Sequence, residues 1–188
     1  MRKLTRSRVA YVDDGLALEG YLVTPSRARD LPGVLVAPSW LNVAESTCRR
    51  ADRLAEEGFV VFVADLLGAG VLPVPPQSPD QVVAPFLADR LHLRRRLLAG
   101  LAALQDRLVR SPDRVAAIGY CLGGIYGGAR HAFTGEGIAD GESDEAGVDP
   151  QAEQRSWEAM LRFLEEVLRP APANRASEHV ARNGQPRD

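Results

Sequence analysis

The chain has 188 residues, of which 45% are apolar and 26% are charged, and its formal net charge is −2 at pH 7. This length is typical of one domain with a substantial buried core. The balanced charge offers no basic surface for nucleic acid or for an acidic membrane, so we expect neither as a partner.

The cysteines and the N-terminus bear on the cellular compartment. Cys48 and Cys121 belong to no Cys-x-x-Cys pair and are too few for a disulfide framework. Residues 1–8 are basic, but no apolar run follows them, so they do not resemble a secretion signal. No apolar stretch is long enough to span a membrane. We therefore expect a cytoplasmic protein with both thiols free.

The first two-thirds of the chain alternate β-type and helical patterns. Residues 9–12 and 16–23 are β-type runs on either side of Asp13-Asp14-Gly15, and Asp-Gly is a hairpin turn signal. The further predicted elements, in chain order, are a strand at 34–37, a helix at 43–57, a strand at 59–64, a helix at 84–109 and a strand at 114–119. Buried strands that alternate with helices predict an α/β fold with a parallel sheet.

The long helix predicted at 84–109 has two notable features. Its leucines recur at helical spacing, which predicts a core-facing stripe: Leu91, Leu98, Leu101, Leu104 and Leu108. It also contains the basic run 94–96, which we interpret as a solvated helix face, the usual state of a short charge run.

After Cys121 the pattern changes. Four glycines crowd residues 123–128, and residues 134–150 are acidic and glycine-rich, which predicts a loop. Residues 152–168 form an amphipathic pattern, which predicts a helix. We expect one domain over residues 1–169 and a disordered tail over 170–188, because the tail is polar and lacks periodicity.

Cys121 lies at the centre of a Gly-x-Cys-x-Gly segment directly after a predicted buried strand. Small residues two before and two after a nucleophile allow the sharp strand-to-helix turn that presents a side chain at the carboxyl end of a sheet. The backbone N–H of Leu122 would then face the oxyanion of an acyl intermediate. A second donor normally comes from the loop after the third strand, here residues 38–41. The alternative interpretation is a buried structural cysteine in a glycine turn.

The three histidines differ in context. His131 follows a glycine-rich segment and is a candidate general base, with a plain surface histidine as the alternative. His92 lies within the long predicted helix, where we expect a structural role, and His179 lies in the tail. No cluster of His, Cys, Asp or Glu has the spacing of metal ligands, so we expect no metal.

Two segments together resemble the dienelactone hydrolase family: GYCLGG at 119–124 and YGGARHAF at 126–133. Residues 35–40 and 60–67 are similar to that family's third and fourth strands with their loops, and Ser156-Trp157 is similar to part of its last helix. The resemblance implies a three-layer α/β/α sandwich of the α/β-hydrolase type with a mostly parallel sheet. It also implies hydrolysis of lactones or small carboxylic esters by a Cys-His-Asp triad without a cofactor. In this resemblance Cys121 matches the nucleophile and His131 the base, while the backbones of Leu122 and Trp40 match the oxyanion donors.

The sequence departs from the family pattern in two places. Ser39 stands where many members have a glutamate, and the nearby Glu45 is interpreted as part of the first turn of a helix. The larger departure is a gap between the two matching segments. Two strand-helix units are absent there, about 60 residues at about 30 residues per unit, and the family's triad aspartate belongs to that stretch. We therefore expect a sheet truncated after strand five, with residues 114–119 as an exposed edge.

Two hypotheses follow for the function. In the first, the protein is a hydrolase of small esters or lactones in which Cys121 attacks the carbonyl and His131 transfers the proton. In the second, it is a catalytically impaired or inactive family remnant that lacks the triad acid and self-associates through the exposed sheet edge.

Overall fold

The computed structural model describes residues 2–26, 30–108, 113–120 and 150–168. The chain begins with a hairpin of two long strands, β1 (Leu4–Asp13) and β2 (Leu16–Pro25), paired antiparallel with Asp13 opposite Leu16. Asp14 and Gly15 in the turn have φ of 50° and 78°. This left-handed pair matches the twist of the flanking strands and confirms the hairpin predicted from Asp-Gly.

The strands that follow the hairpin are separated by helices as the sequence predicts, with two helices between the last two strands. In chain order they are β3 (Gly33–Ala37), α1 (Glu45–Glu57), β4 (Val60–Val63), α2 (Pro79–Ala88), α3 (Arg90–Gln105), β5 (Val115–Gly119) and α4 (Pro150–Leu168). Gly58 ends α1, because it adopts φ 111° and its N–H donates to Ala55 O. In the described ranges, no helix is long and apolar enough to cross a membrane.

The five strands form one sheet in the order β1-β2-β4-β3-β5. β3 pairs parallel with both β4 and β5, whereas β2 pairs antiparallel with β1 and with β4. Four of the five strands therefore run in one direction, which confirms the mostly parallel sheet. Within the described part of the chain, β5 is an edge strand, as expected for a sheet truncated at this point.

Helices cover the two faces of the sheet and make three layers. Along β3, Val34 and Val36 pack with α1 and α4, while Leu35 packs with α3 on the opposite face. Successive side chains of a strand point to opposite faces, so a continuous apolar run supplies both cores at once. β5 is less enclosed than the predicted buried strand, since its residues are only half-buried and Ala117 is exposed.

The prediction of a single helix over 84–109 is wrong. Two helices occupy this region, and Asp89 separates them in an extended conformation with φ −132° and ψ 93°. Its carboxyl group accepts hydrogen bonds from the N–H groups of Leu91 and His92, which caps α3. The expected leucine stripe is also only partly in the core, because Leu91 is 74% exposed and Leu98 is 46% exposed.

The interpretation of residues 94–96 as a solvated face is wrong for Arg96, which is 5% exposed. Its Nε lies 2.8 Å from Asp13 Oδ2, and its Nη1 donates to Leu66 O at 2.9 Å. Arg95 also pairs with Asp13, at 3.0 Å. The end of the hairpin, the loop after β4 and α3 are therefore joined by a buried ion pair whose hydrogen bonds offset the cost of burying the charges.

Candidate active site

The carboxyl ends of β3 and β4 lie at one edge of the sheet, and a buried amide–carboxyl pair joins the loops that leave them. Asn42 Nδ2 donates to Asp65 Oδ1 at 2.8 Å and to Val71 O at 3.0 Å, and Asn42 Oδ1 accepts from Leu66 N at 2.9 Å. Asn42 and Asp65 are 2% and 1% exposed. Because both side chains are fully used, the two loops are fixed relative to each other.

Asp65 is the central acceptor of this edge. Besides Asn42, its Oδ1 accepts from Leu67 N at 2.9 Å and Gly68 N at 3.0 Å, and its Oδ2 accepts from Glu19 N at 2.9 Å. Gly68 adopts φ 131°, a conformation that a side chain would strain. One carboxyl group thus folds the start of the loop after β4 and holds it against β2.

Tyr11 completes the network from β1. Its hydroxyl accepts from Asp65 N at 2.8 Å and donates to Asp65 O at 3.1 Å, and its ring meets Phe62 edge-on at 5.7 Å between centroids. Burial raises the pKa of Tyr11 well above its ordinary value, so the hydroxyl remains protonated near neutral pH.

Replacing Tyr11 with phenylalanine is expected to lower the free energy of unfolding by about 1–3 kcal/mol, because the N–H and carbonyl of Asp65 lose their partner. Urea denaturation followed by circular dichroism measures this change. Tyr21→Phe is the matched control. It removes a 2.6 Å hydrogen bond to Asp52, whose carboxylate keeps Arg6 as a partner, so we expect a smaller loss. Equal losses of unfolding free energy in the two variants would show that the Tyr11 hydroxyl stabilises the fold no more than the Tyr21 hydroxyl does.

Trp40 lies in a tight turn at the same edge. Asn42 N donates to Ser39 O at 2.9 Å, Leu41 N donates to Ser39 Oγ at 3.3 Å, and Asn42 adopts φ 55°. Trp40 N donates no backbone hydrogen bond to another described residue. The turn therefore leaves one backbone N–H available at the carboxyl end of β3. Ser39 uses its hydroxyl to hold the turn.

Strand β5 also ends at the carboxyl edge of the sheet, beside β3. Tyr120 N donates to Ala37 O at 3.1 Å, which continues the parallel register of β3 and β5 one residue beyond Gly119. Tyr120 packs against the core on the α1 and α4 side, and Arg50 lies over its ring at 5.1 Å. This described segment ends at Tyr120, one residue before the predicted nucleophile Cys121 in the sequence. Cys121, Leu122 and His131 themselves lie outside the described residues, as do His179 and the predicted tail.

The other cysteine, Cys48, has surroundings that disfavour its thiolate. Cys48 lies in α1, half-buried, with Sγ 3.8 Å from Val43 O. Burial raises the pKa of its thiol, so less thiolate is present at neutral pH than for a free cysteine. His92 has the structural role that its position predicts, since its Nε2 lies 2.9 Å from Arg96 Nη2 and its ring stacks at a tilt on Phe86.

A small cleft separates the Trp40 turn from α2. Its volume of about 10 Å³ leaves room for little more than one water molecule. The lining residues are Pro38, Ser39, Trp40, Asn42, Leu66, Leu67, Val82, Val83 and Phe86. The described residues therefore supply one wall of a candidate site and a hydrogen-bond donor, while the predicted nucleophile and base belong to the adjoining segment.

Comparison with solved structures supports the fold. The chain is 22% identical to a dienelactone hydrolase-like promiscuous phosphotriesterase from metagenomic libraries, with a TM-score of 0.78 over 87% of this chain and 98% of that chain. A structure named m3DLH matches with 21% identity and a TM-score of 0.79 over the same shares. A cold-adapted esterase from an Arctic intertidal metagenomic library matches with 15% identity and a TM-score of 0.51, over 65% of this chain and 53% of that chain. At these identities the likeness shows the α/β-hydrolase type of fold.

Among curated proteins, none matches the chain. The sequence model of the dienelactone hydrolase family matches residues 18–125, more than half of the chain. The match begins in β2, includes the Trp40 turn and the Asp65 loop, and ends at Ile125, where the two segments of family resemblance are interrupted. The chain belongs to the dienelactone hydrolase family.

Proposed function

We propose that the protein hydrolyses small carboxylic esters or lactones with Cys121 as the nucleophile. The observation that carries the proposal is the meeting of two chain segments at the carboxyl edge of the sheet. There, β5 delivers Tyr120 beside Ala37, and the Trp40 turn leaves its backbone N–H without a backbone acceptor among the described residues. A nucleophile directly after β5 would thus react next to an oxyanion donor.

In the proposed reaction, Cys121 Sγ attacks the carbonyl carbon while His131 takes the thiol proton. The backbone N–H groups of Leu122 and Trp40 bind the oxyanion that forms. The intermediate collapses to a thioester, and the departing alkoxide receives its proton from His131. Water then attacks the thioester, which releases the carboxylic acid and restores the thiol. No cofactor or metal is needed, and a reducing compartment such as the cytoplasm would keep the thiol active.

A second candidate is an inactive family member that self-associates. The position of β5 favours it, because this strand is at the sheet edge within the described residues and Ala117 is exposed. An unpaired strand edge is a template for pairing with a second chain. Sedimentation velocity distinguishes the candidates when combined with an esterase assay. A stable dimer without esterase activity supports the second candidate, and an active monomer excludes it.

Selective alkylation tests the nucleophile. We expect iodoacetamide at neutral pH to modify Cys121 before Cys48, since burial raises the pKa of the Cys48 thiol and moves its alkylation to higher pH. Peptide mass spectrometry gives the extent at each cysteine, and hydrolysis of p-nitrophenyl acetate should fall in step with modification of Cys121. A Cys48→Ala variant should behave as the wild type does. Full activity after complete alkylation of Cys121 would refute the proposal.

A further inference from the structure

A second cleft lies on the opposite face of the sheet from α1, between α3 and the strands β3 and β5. Its volume is about 360 Å³, within the range of about 300–1,000 Å³ typical of small-molecule sites. Its floor is formed by Leu35, Ala37 and Ala117, and its wall by one stripe of α3: Arg90, Leu93, Arg94, Leu97, Leu98 and Leu101. We call this cleft the α3 groove.

The stripe explains why the predicted leucine pattern is only partly buried. Gly100, Ala103 and Leu104 face the core of the sheet, whereas Leu98 on the groove side remains 46% exposed. Helix α3 therefore has two apolar faces, and one of them lines the groove. Covering this exposed apolar surface with an apolar ligand would be favourable in water.

The charges of the groove lie at one end. The C-terminal half of α3 is at the start of β3, because Leu104 and Leu108 contact Gly33. Arg90 and Arg94, at the other end of the helix, are therefore toward the carboxyl edge of the sheet. Arg90 and Arg94 line the groove and are both exposed, and the stem of such an arginine covers apolar surface while its guanidinium group stays in water.

These two arginines differ from their neighbours on the helix. Arg95 and Arg96 are paired with Asp13, but no carboxylate of the described residues lies within salt-bridge distance of Arg90 or Arg94. Asp89 is adjacent in sequence, but its carboxyl group caps the helix. Like charges four residues apart on a helix repel each other. A single anion between them would remove that repulsion.

We propose that the α3 groove binds a monomeric anionic amphiphile, with its carboxylate between Arg90 and Arg94 and its hydrocarbon chain along Leu97, Leu98 and Leu101. A purely apolar ligand would leave the arginines unmatched, and a small hydrophilic anion would leave the apolar floor exposed to water. The described lining of the groove contains no thiol, so we expect the Cys121→Ala variant to bind as well as the wild type.

Calorimetric titration of the full chain with hexanoate, octanoate and decanoate, below their micelle concentrations, tests the proposal. Each added methylene that enters the groove should tighten binding about fourfold. The double variant Arg90→Gln/Arg94→Gln should weaken decanoate binding about tenfold or more, because charged hydrogen bonds are lost. Decanol, which is neutral, should bind the double variant and the wild type equally. Arg107→Gln, just beyond α3, is the matched control for lost charge and should leave decanoate binding unchanged.

Substitutions that fill or alter the α3 groove give an independent test of decanoate binding. Ala117→Trp should abolish decanoate binding, and Leu98→Gln should weaken it at a half-exposed position that folding tolerates. The proposal is overturned if decanoate binding is not saturable or does not depend on chain length. Equal binding by the double arginine variant and by Arg107→Gln would also overturn it. So would binding to phosphatidylglycerol vesicles without binding to monomeric decanoate, which would assign the groove to a membrane surface.

Discussion

Replacing Cys121 with alanine is expected to lower the hydrolysis rate of p-nitrophenyl acetate by about a hundredfold, because the residues of a triad act as a unit and this one is expected to lack its acid already. In the proposed reaction the thiol supplies the atom that forms the acyl intermediate, so the variant would retain only the oxyanion donors. On the expectation that the triad acid belongs to the missing stretch, the wild-type rate itself should be modest, because such an acid contributes about 10⁴ in kcat.

The matched control for this prediction is Cys48→Ala. It removes the other thiol of the chain, from a half-buried position in α1, and should leave the rate of hydrolysis unchanged. The two variants are compared at equal concentration after circular dichroism has shown that both are folded. Equal rates for wild type and Cys121→Ala would end the hypothesis of a cysteine hydrolase and favour the inactive family member.

Replacing Asp65 with alanine is expected to lower the free energy of unfolding by about 4 kcal/mol or more, because each buried donor left without an acceptor costs about 1–3 kcal/mol. The donors are Asn42 Nδ2 and the backbone N–H groups of Glu19, Leu67 and Gly68. For a domain of this size the midpoint of thermal unfolding should fall by roughly 10 °C. Esterase activity should fall at temperatures where the variant is still folded, since Asn42 then no longer fixes the Trp40 turn.

Two further variants serve as an intermediate case and as a control for the loss of stability in Asp65→Ala. Asp65→Asn keeps one acceptor oxygen but presents an amide NH₂ to neighbouring donors, so its loss of stability should be intermediate. Asp106→Ala changes a carboxylate that is 78% exposed and should alter stability by no more than about 0.5 kcal/mol. The role of Asp65 would be contradicted if Asp65→Ala unfolded within about 1 kcal/mol of the wild type.

The parts of the fold that local sequence determines are those that could be predicted. Asp14-Gly15 specifies the hairpin because both residues accept positive φ. The apolar runs of β3 and β4 have no polar face, which indicates strands covered on both sides. Alternation of these strands with helices then gives the parallel sheet and places Trp40 at its carboxyl edge.

The predictions that were wrong concern features that depend on contacts between residues distant in sequence. A charge run predicts a solvated face, but the partner that buries Arg96 is Asp13, 83 residues away. The helix break at Asp89 competes with a continuous leucine periodicity, and the capping bonds of its carboxyl group prevail. Periodicity also cannot tell a buried stripe from the exposed one that lines the α3 groove.

In the candidate site, too, the residues of a local motif could be predicted, whereas residues brought together by tertiary contacts could not. The motif around Cys121 is local and identifies the family, while Leu122 and His131 remain predictions that follow from that resemblance. Asn42, Asp65 and Tyr11 were not predicted as site residues, because their function depends on three separate loops and strands meeting. One signal was present, since Asp65 is a lone acidic residue directly after the strong strand at 59–64, at the edge where parallel strands place functional groups.

We propose that the carboxyl edge of this shortened domain supports acyl transfer to Cys121. Rapid acid quenching after brief exposure of the wild-type chain to p-nitrophenyl acetate, followed by peptide mass spectrometry, tests it most directly. We expect one acetyl group on the peptide that contains Cys121, formed and lost at the rate of turnover, and none on Cys48. Turnover of the ester without an acetyl group on Cys121, or with acetylation only at Cys48 or surface amines, would contradict the claim.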